Sequence, residues 1–122
     1  MHGSEEQEQR ALIRWAELSQ SRYPELALLF HPPNGGLRSK AVAAKLKAQG
    51  VKAGVLDLVL PVARGPYHGL FIEMKVGKNK PTDMQVWWIK RLRHEGYAVE
   101  VCYGWEAAKD VLENYLNQEE KK

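Results

Sequence analysis

Four segments of the chain place apolar side chains at helical spacing. The first begins at Ser4, and the following Glu5-Glu6-Gln7 has the character of a capping box. Gly50 and Gly96 follow the second and third segments, where glycine commonly ends a helix. The pattern therefore predicts helices over residues 4–21, 38–49, 81–95 and 105–116.

Three shorter apolar segments have the length and composition of strands: residues 55–60, 69–76 and 98–103. The turn at residues 61–66 predicts a hairpin, and the step from residue 69 to 103 has the length of a parallel strand–helix–strand crossover. The order of elements predicts an α/β fold in which helices flank a mixed sheet. Residues 24–30 fit either a helical turn or a short strand, and residues 31–36 are predicted to form a loop.

The composition is that of one globular domain. The chain has 122 residues, of which 44% are hydrophobic, enough for one core. We expect one domain over residues 1–122, with residues 1–4 and 117–122 flexible. No run of about 18 apolar residues is present, and no apolar segment resembles a signal peptide. The single cysteine excludes a disulfide framework or a thiolate zinc site. A cytoplasmic location is therefore expected.

The net charge of +3 conceals an uneven distribution. Residues 22–93 contain thirteen basic and four acidic side chains, whereas residues 1–21 and 94–122 have net charges of −2 and −4. This asymmetry indicates a polyanionic partner for the central segment. Solvated Lys and Arg on helix faces would produce the same distribution, so charge alone does not decide between the two.

Three ionisable residues interrupt the first two predicted strands: Asp57, Glu73 and Lys75. Because side chains alternate along a strand, Glu73 and Lys75 project from one face, and the hairpin brings Asp57 near Glu73. Two neighbouring carboxylates favour a hard cation such as Mg²⁺ or Mn²⁺, and an adjacent lysine stabilises charge on a phosphate. The alternative is a surface ion pair on an edge strand, with Asp57 at a strand end.

Gly54-Val-Leu-Asp57, followed after fifteen residues by Glu73-Met-Lys75, resembles the motif of the PD-(D/E)XK nuclease superfamily. From about residue 5 to residue 116 the chain is similar to the virus-type replication-repair nuclease (VRR-NUC) branch, in its stand-alone phage and bacterial form. Leu56 stands where that family usually has proline, a position that shapes the strand. The surrounding features that support the resemblance are Glu5 and Gln9 on the first helix, Pro33-Asn-Gly-Gly36, Ser39-Lys40, Gly50 and Gln85.

The resemblance implies a divalent-metal site formed by Asp57, Glu73 and the main-chain carbonyl of Met74. It implies that Lys75 orients or activates the attacking water. Glu5 resembles the family's additional acidic residue near the metal, and Glu8 is the alternative. For either glutamate, the helix dipole alone favours an acid in the first turn.

Gln85 has two interpretations that remain open. The resemblance implies a hydrogen-bonding residue of the active site, near the scissile phosphate. Residues 82–85, Thr-Asp-Met-Gln, also form a capping box in which the glutamine satisfies a helix N-terminus. One side chain can perform both roles.

Nucleic-acid contacts are predicted where a loop enters the basic second helix. A helix N-terminus with nearby serine and lysine suits a phosphate. The predicted contacts are Asn34, Ser39, Lys40 and, in the loop after the motif, Lys78. Simple solvation accounts equally well for Lys40.

The resemblance implies a Mg²⁺-dependent endodeoxyribonuclease, active also with Mn²⁺, that cuts branched DNA as a homodimer and takes part in DNA repair. A Holliday junction is the expected substrate, because one small active site cuts one strand and symmetric cutting requires two subunits. The alternatives are a flap- or nick-directed DNA nuclease, an RNA-directed nuclease, or a non-catalytic DNA-binding or dimerisation module with the same fold. Nucleoid association and a phage or prophage gene are further expectations.

Overall fold

A computed structural model describes residues 3–33 and 39–120. Three strands form one mixed sheet: β1 (Leu58–Leu60), β2 (Leu70–Lys75) and β3 (Ala98–Tyr103). β1 pairs antiparallel with β2, and β2 pairs parallel with β3, so β2 is the central strand. The predicted hairpin, parallel crossover and mixed sheet are confirmed.

Four helices surround the sheet, as predicted: α1 (Glu5–Leu18), α2 (Lys40–Ala48), α3 (Asp83–His94) and α4 (Trp105–Leu116). Capping boxes begin α1 at Ser4 and α3 at Thr82, where the sequence placed them. α1 ends at Leu18 rather than near Ser21, because the chain turns at Ser19 to bury Tyr23 and Leu26. In the part of the chain described, no helix is long and apolar enough to cross a membrane.

The two faces of the sheet pack against different helices. Leu70, Ile72 and Met74 of β2 belong to the main core, together with apolar side chains of α1 and α4. The opposite face forms a smaller cluster in which Ile89 of α3 packs with Val99. Glu73 and Lys75 alternate with the main-core residues and therefore face the α3 side.

The first strand is shorter than the sequence predicted. Residues 55–57 lie outside β1, and Asp57 directly precedes it. Oδ2 of Asp57 accepts a hydrogen bond from the Met74 N–H at 2.7 Å. The Asp57 side chain thus occupies the Met74 N–H, which a longer β1 would have bonded through its main chain. The β1–β2 pairing therefore ends at Leu58.

The segment at residues 24–30 contains both structures that its sequence left open. Pro24–Leu28 is a 3₁₀ helix, and Phe30 forms an isolated antiparallel bridge with Val59. The bridge lays the segment beside β1, so that His31, which follows Phe30, lies next to the residues that precede β1.

α2 has no buried residue, unlike the other three helices. Its N-cap is Ser39, whose Oγ accepts a hydrogen bond from the Val42 N–H at 3.2 Å. Since little of α2 packs on the core, most of its surface, including its lysines, is open to solvent.

The chain after α4 lies along the connection between β1 and β2. The Gly65 N–H donates to the Glu119 carbonyl at 2.8 Å, and the main chains of Glu120 and Arg64 form an isolated antiparallel β-bridge. The buried Arg64 guanidinium pairs with Glu25 and donates to the Leu116 carbonyl. Residues 117–120 therefore make defined contacts with the rest of the domain, and the flexibility expected of both termini stays a prediction.

Candidate active site

Three ionisable side chains meet between β1 and β2. The register pairs Leu58 with Ile72, so Asp57, one residue earlier, lies opposite Glu73. Glu73 and Lys75 project from the same face of β2. Nζ of Lys75 lies 3.2 Å from Oε2 of Glu73. The predicted neighbourhood of Asp57, Glu73 and Lys75 is present in the fold.

The Glu73–Lys75 pair is buried in the central strand. Glu73 is 1% exposed and Lys75 is 6% exposed. The alternative interpretation, a solvated pair on an edge strand, is therefore wrong. A buried carboxylate is costly without partners, yet Oε1 of Glu73 is buried and has no hydrogen-bond partner within the described residues. This oxygen is available to a ligand.

Burial raises the pKa of both carboxylates, and the charge of Asp57 raises that of Glu73 further. Loss of hydration, followed by the charge of Asp57, raises the pKa of Glu73 from its ordinary value of 4.5 to about 7, against the opposing charge of Lys75. Burial also raises the pKa of Asp57, and the Met74 N–H opposes that shift. The two side chains thus form a carboxylate pair that lacks enough positive charge to balance it.

Gln85 connects the carboxylates to the start of α3. Its Oε1 accepts from the Thr82 N–H at 2.8 Å, which completes the capping box. Its Nε2 donates to Oε2 of Glu73 at 2.9 Å. The two ends of one amide thus complete the capping box and contact Glu73, and the role of Gln85 near the scissile phosphate stays a prediction.

Comparison with known proteins identifies the family. The VRR-NUC domain model matches residues 3–106. The chain belongs to the VRR-NUC family. A solved structure described as a "VRR_NUC domain protein" is similar to this chain, with 31% sequence identity and a TM-score of 0.83, covering 98% of this chain and 93% of that chain. No curated protein matches. The VRR-NUC domain is a nuclease domain of the PD-(D/E)XK type.

The donor set of this VRR-NUC domain fits a hard divalent cation with few protein ligands. Among the described residues, no three His, Cys, Asp or Glu side chains cluster closely enough to enclose a metal by themselves. Mg²⁺ commonly binds through one or two carboxylates and keeps several waters. Asp57 and the unpartnered Oε1 of Glu73 supply those carboxylates, and the main chain of Met74 contacts Asp57 through its N–H.

The metal-free protein is expected to lose stability as pH rises through the pKa of Glu73. Between pH 4.5 and about 7 the folded state keeps a proton that the unfolded state releases, so raising the pH favours unfolding. Thermal unfolding in EDTA across this range, compared with Glu73→Gln, isolates the effect from other carboxylates. A constant difference in melting temperature between the two proteins would contradict it.

The two candidate acids of α1 have different environments. Oε1 of Glu8 accepts from the N–H of Trp105, the first residue of α4, whose N-cap Gly104 has no capping side chain. Oε2 of Glu5 accepts from Asn79 in the loop after β2, at 3.0 Å. Glu8 therefore caps another helix, and Glu5 contacts the loop that begins beyond Lys75. This favours Glu5 as the additional acid.

We expect the Glu5 and Glu8 variants to separate activity from stability. Glu5→Gln keeps an acceptor for Asn79 but loses the charge, so cleavage should fall about 10- to 100-fold without a change in unfolding. Glu8→Ala should lower the free energy of unfolding by about 1 kcal/mol, because α4 loses its cap. Cleavage rates and urea titrations measure both. A Glu8→Gln protein of normal stability but reduced cleavage would instead assign the acid to Glu8.

His31 joins the site although its sequence context did not single it out. Its Nδ1 donates to the main-chain oxygen of Asp57 at 2.5 Å, and its charge lowers the pKa of Asp57. No metal-ligand spacing involves His31. Its position in the loop directly after the apolar segment at residues 24–30 is the sequence signal that points to it.

The predicted nucleic-acid contacts are only partly described. Asn34 lies outside the described residues. Lys40 is exposed at the start of α2, where the Ser39 hydroxyl is engaged in the cap, and Lys78 is exposed in the loop after β2. Lys78 is three residues beyond Lys75 and is thus the nearest of them along the chain to the carboxylate pair.

Proposed function

We propose that this VRR-NUC domain is a metal-dependent, structure-selective endonuclease that hydrolyses phosphodiester bonds in branched DNA, with four-way junctions cut by a homodimer. The observation that supports the chemistry is the buried, unpartnered Oε1 of Glu73 beside the carboxylate of Asp57. Two neighbouring carboxylates, one of which has a buried oxygen without a hydrogen-bond partner, favour a cation that balances their charge.

Asp57, Glu73 and the main-chain carbonyl of Met74 are the groups that would hold Mg²⁺, with Mn²⁺ as a substitute. When bound, the ion supplies a Lewis acid that polarises the phosphate and lowers the pKa of water. The carboxylate geometry remains fixed by the protein, since the Met74 N–H holds Asp57 and the Gln85 amide holds Glu73.

Lys75 has the charge that the transition state requires. Its ammonium is buried beside Glu73, where an electrostatic interaction is much stronger than in water. We assign it to orienting the attacking water and stabilising the hydroxide character that develops. In-line attack on phosphorus then leaves a free 3′ oxygen on the departing strand. Gln85 donates into the same site and so keeps Glu73 oriented for this step.

The charge distribution supports DNA as the substrate. Between residues 31 and 56 the chain contains basic side chains and no acidic ones, and the described lysines of α2 are exposed. Exposed lysines neutralise phosphates without reading sequence. A junction has two equivalent strands to cut, and one site per chain requires two copies related by a two-fold axis.

The decisive experiment compares labelled four-way junction, flap, nicked and linear duplex DNA, and an RNA duplex, in Mg²⁺, Mn²⁺ or EDTA. Symmetric nicks across the junction, abolished by EDTA, are expected. Mixing active and inactive subunits should then give junctions cut on one strand only. Binding of DNA without cleavage in either metal would overturn the proposal in favour of a non-catalytic module.

A further inference from the structure

An exposed aromatic side chain stands on the outer side of α3. Trp87 is 52% exposed and the preceding turn presents Met84, 48% exposed. The other three tryptophans are partly buried. Large apolar side chains contribute little to folding when they remain in water, so their grouping on one helix suggests a surface for a ligand.

The Trp87 ring is held in place despite its exposure. It lies edge-to-face against Trp88, with ring centroids 5.5 Å apart and an interplanar angle of 87°. Nε1 of Trp88 in turn donates to the Ala53 carbonyl at 3.0 Å. A ring oriented by such a neighbour loses little conformational freedom when a flat partner stacks on it.

The charge around Trp87 matches a polyanion. Lys90 and Arg91, one turn further along α3, are exposed, whereas the Arg93 guanidinium donates to the Val99 carbonyl at 2.8 Å on the sheet side. The acidic residue of α3 is Asp83, which lies one turn before Trp87 on the same face, so the two exposed cations leave a net positive charge there. Two copies joined through this face would bring their basic side chains together, because a two-fold contact opposes the same patch on each copy. A nucleic acid offers both the phosphates and the flat apolar bases that this surface suits.

Trp87 lies on the same helix as Gln85, the residue that contacts Glu73. It lies two residues after Gln85 and about 200° around the helix, across a helix about 10 Å wide. A duplex strand advances ~3.4 Å per nucleotide. A strand that contacted both would therefore run around α3, with the base on Trp87 several nucleotides from the phosphate at the carboxylates.

We propose that Trp87, with Met84 beside it, stacks an unpaired base of the nucleic-acid substrate. Bases inside a duplex are stacked on their neighbours, whereas a base at a branch, flap or gap has a free face for an aromatic ring. This inference rests on the proposed function for its substrate class, and it explains how a small domain distinguishes branched from continuous DNA.

The test measures binding in EDTA, so it needs no cleavage. The probe is a flap DNA with unpaired thymines, compared with the same duplex fully paired, by tryptophan fluorescence and by anisotropy of labelled DNA. The flap should quench the protein's fluorescence, and Trp87→Phe should remove most of this quenching while binding continues. Trp87→Ala should weaken flap binding about 5- to 150-fold, with paired-duplex binding little changed. The matched control is Leu28→Ala, since Leu28 is 53% exposed.

Three outcomes would overturn the proposal that Trp87 stacks an unpaired base. They are full quenching in Trp87→Phe, equal losses for flap and paired DNA in Trp87→Ala, and a change from dimer to monomer on sedimentation of Trp87→Ala. The change from dimer to monomer would mean that the Trp87 surface of α3 contacts a second copy of the chain. Circular dichroism and the Trp87→Phe protein exclude misfolding as the cause. If the wild-type protein bound flap DNA with quenching but cut no DNA, the proposed nuclease function would be wrong while base stacking on Trp87 would stand.

Discussion

Asp57→Asn should abolish DNA cleavage while the protein stays folded. The substitution preserves shape, and the asparagine side-chain oxygen can still accept from the Met74 N–H that Asp57 engages at 2.7 Å. The lost feature is one of the two negative charges that would hold the metal. We expect the cleavage rate in Mg²⁺ to fall about 10³-fold or more, as loss of comparable electrostatic assistance does.

The stability of Asp57→Asn distinguishes a functional charge from a structural one. Burial raises the pKa of Asp57, and its charge further raises that of Glu73, so the folded state already disfavours the pair. The metal-free variant should therefore unfold at the same temperature as the wild type or a higher one. Asp110→Asn, on the exposed side of α4, is the control that should leave both rate and melting unchanged. Retained cleavage by purified Asp57→Asn would remove the basis of the proposed site.

Lys75→Met should reduce both cleavage and stability. The substitution leaves Glu73 buried without its cationic partner at 3.2 Å. Breaking a buried ion pair costs about 3 kcal/mol, and protonation of Glu73, whose pKa already lies near 7, limits the cost below that pH. Cleavage should fall by orders of magnitude, because the attacking water loses its stabilising charge.

The double variant Glu73→Gln with Lys75→Met separates the two effects. With the buried charge removed, the free energy of unfolding measured in urea should recover most of the loss, while cleavage stays absent. Lys109→Met is the matched control: Lys109 pairs with Glu113 at 3.1 Å on the surface, where solvent screens the interaction. No recovery in the double variant would mean that Lys75 stabilises the fold through its packing rather than its charge.

Much of the fold and the motif follows from short-range periodicity. β3 has the predicted bounds, and both capping boxes lie where Ser4 and Thr82 placed them, because caps and strand alternation depend on neighbours within a few residues. The same alternation put Glu73 and Lys75 on one face. The hairpin between the first two strands then placed Asp57 opposite Glu73.

What remained open depended on contacts between segments that are distant in sequence. Only the pairing of β2 on both edges shows that Glu73 and Lys75 are buried rather than a surface pair. Gln85 reaches Glu73 across twelve residues and Glu8 reaches Trp105 across ninety-seven. No local pattern encodes such partners, since they follow from how α1 and α3 pack on the sheet.

The tryptophans of α3 show the same division between what local sequence determines and what tertiary packing decides. Sequence by itself places Trp87 and Trp88 on adjacent positions of an amphipathic helix, which turns their side chains about 100° apart. Which of the two faces water is decided by where the loop before β1 runs, because the Ala53 carbonyl accepts from Trp88 and leaves Trp87 outside. The chain's own periodicity thus determined its elements and the placement of Asp57, Glu73 and Lys75 near one another, whereas burial, partner choice and exposed surfaces were decided by tertiary packing.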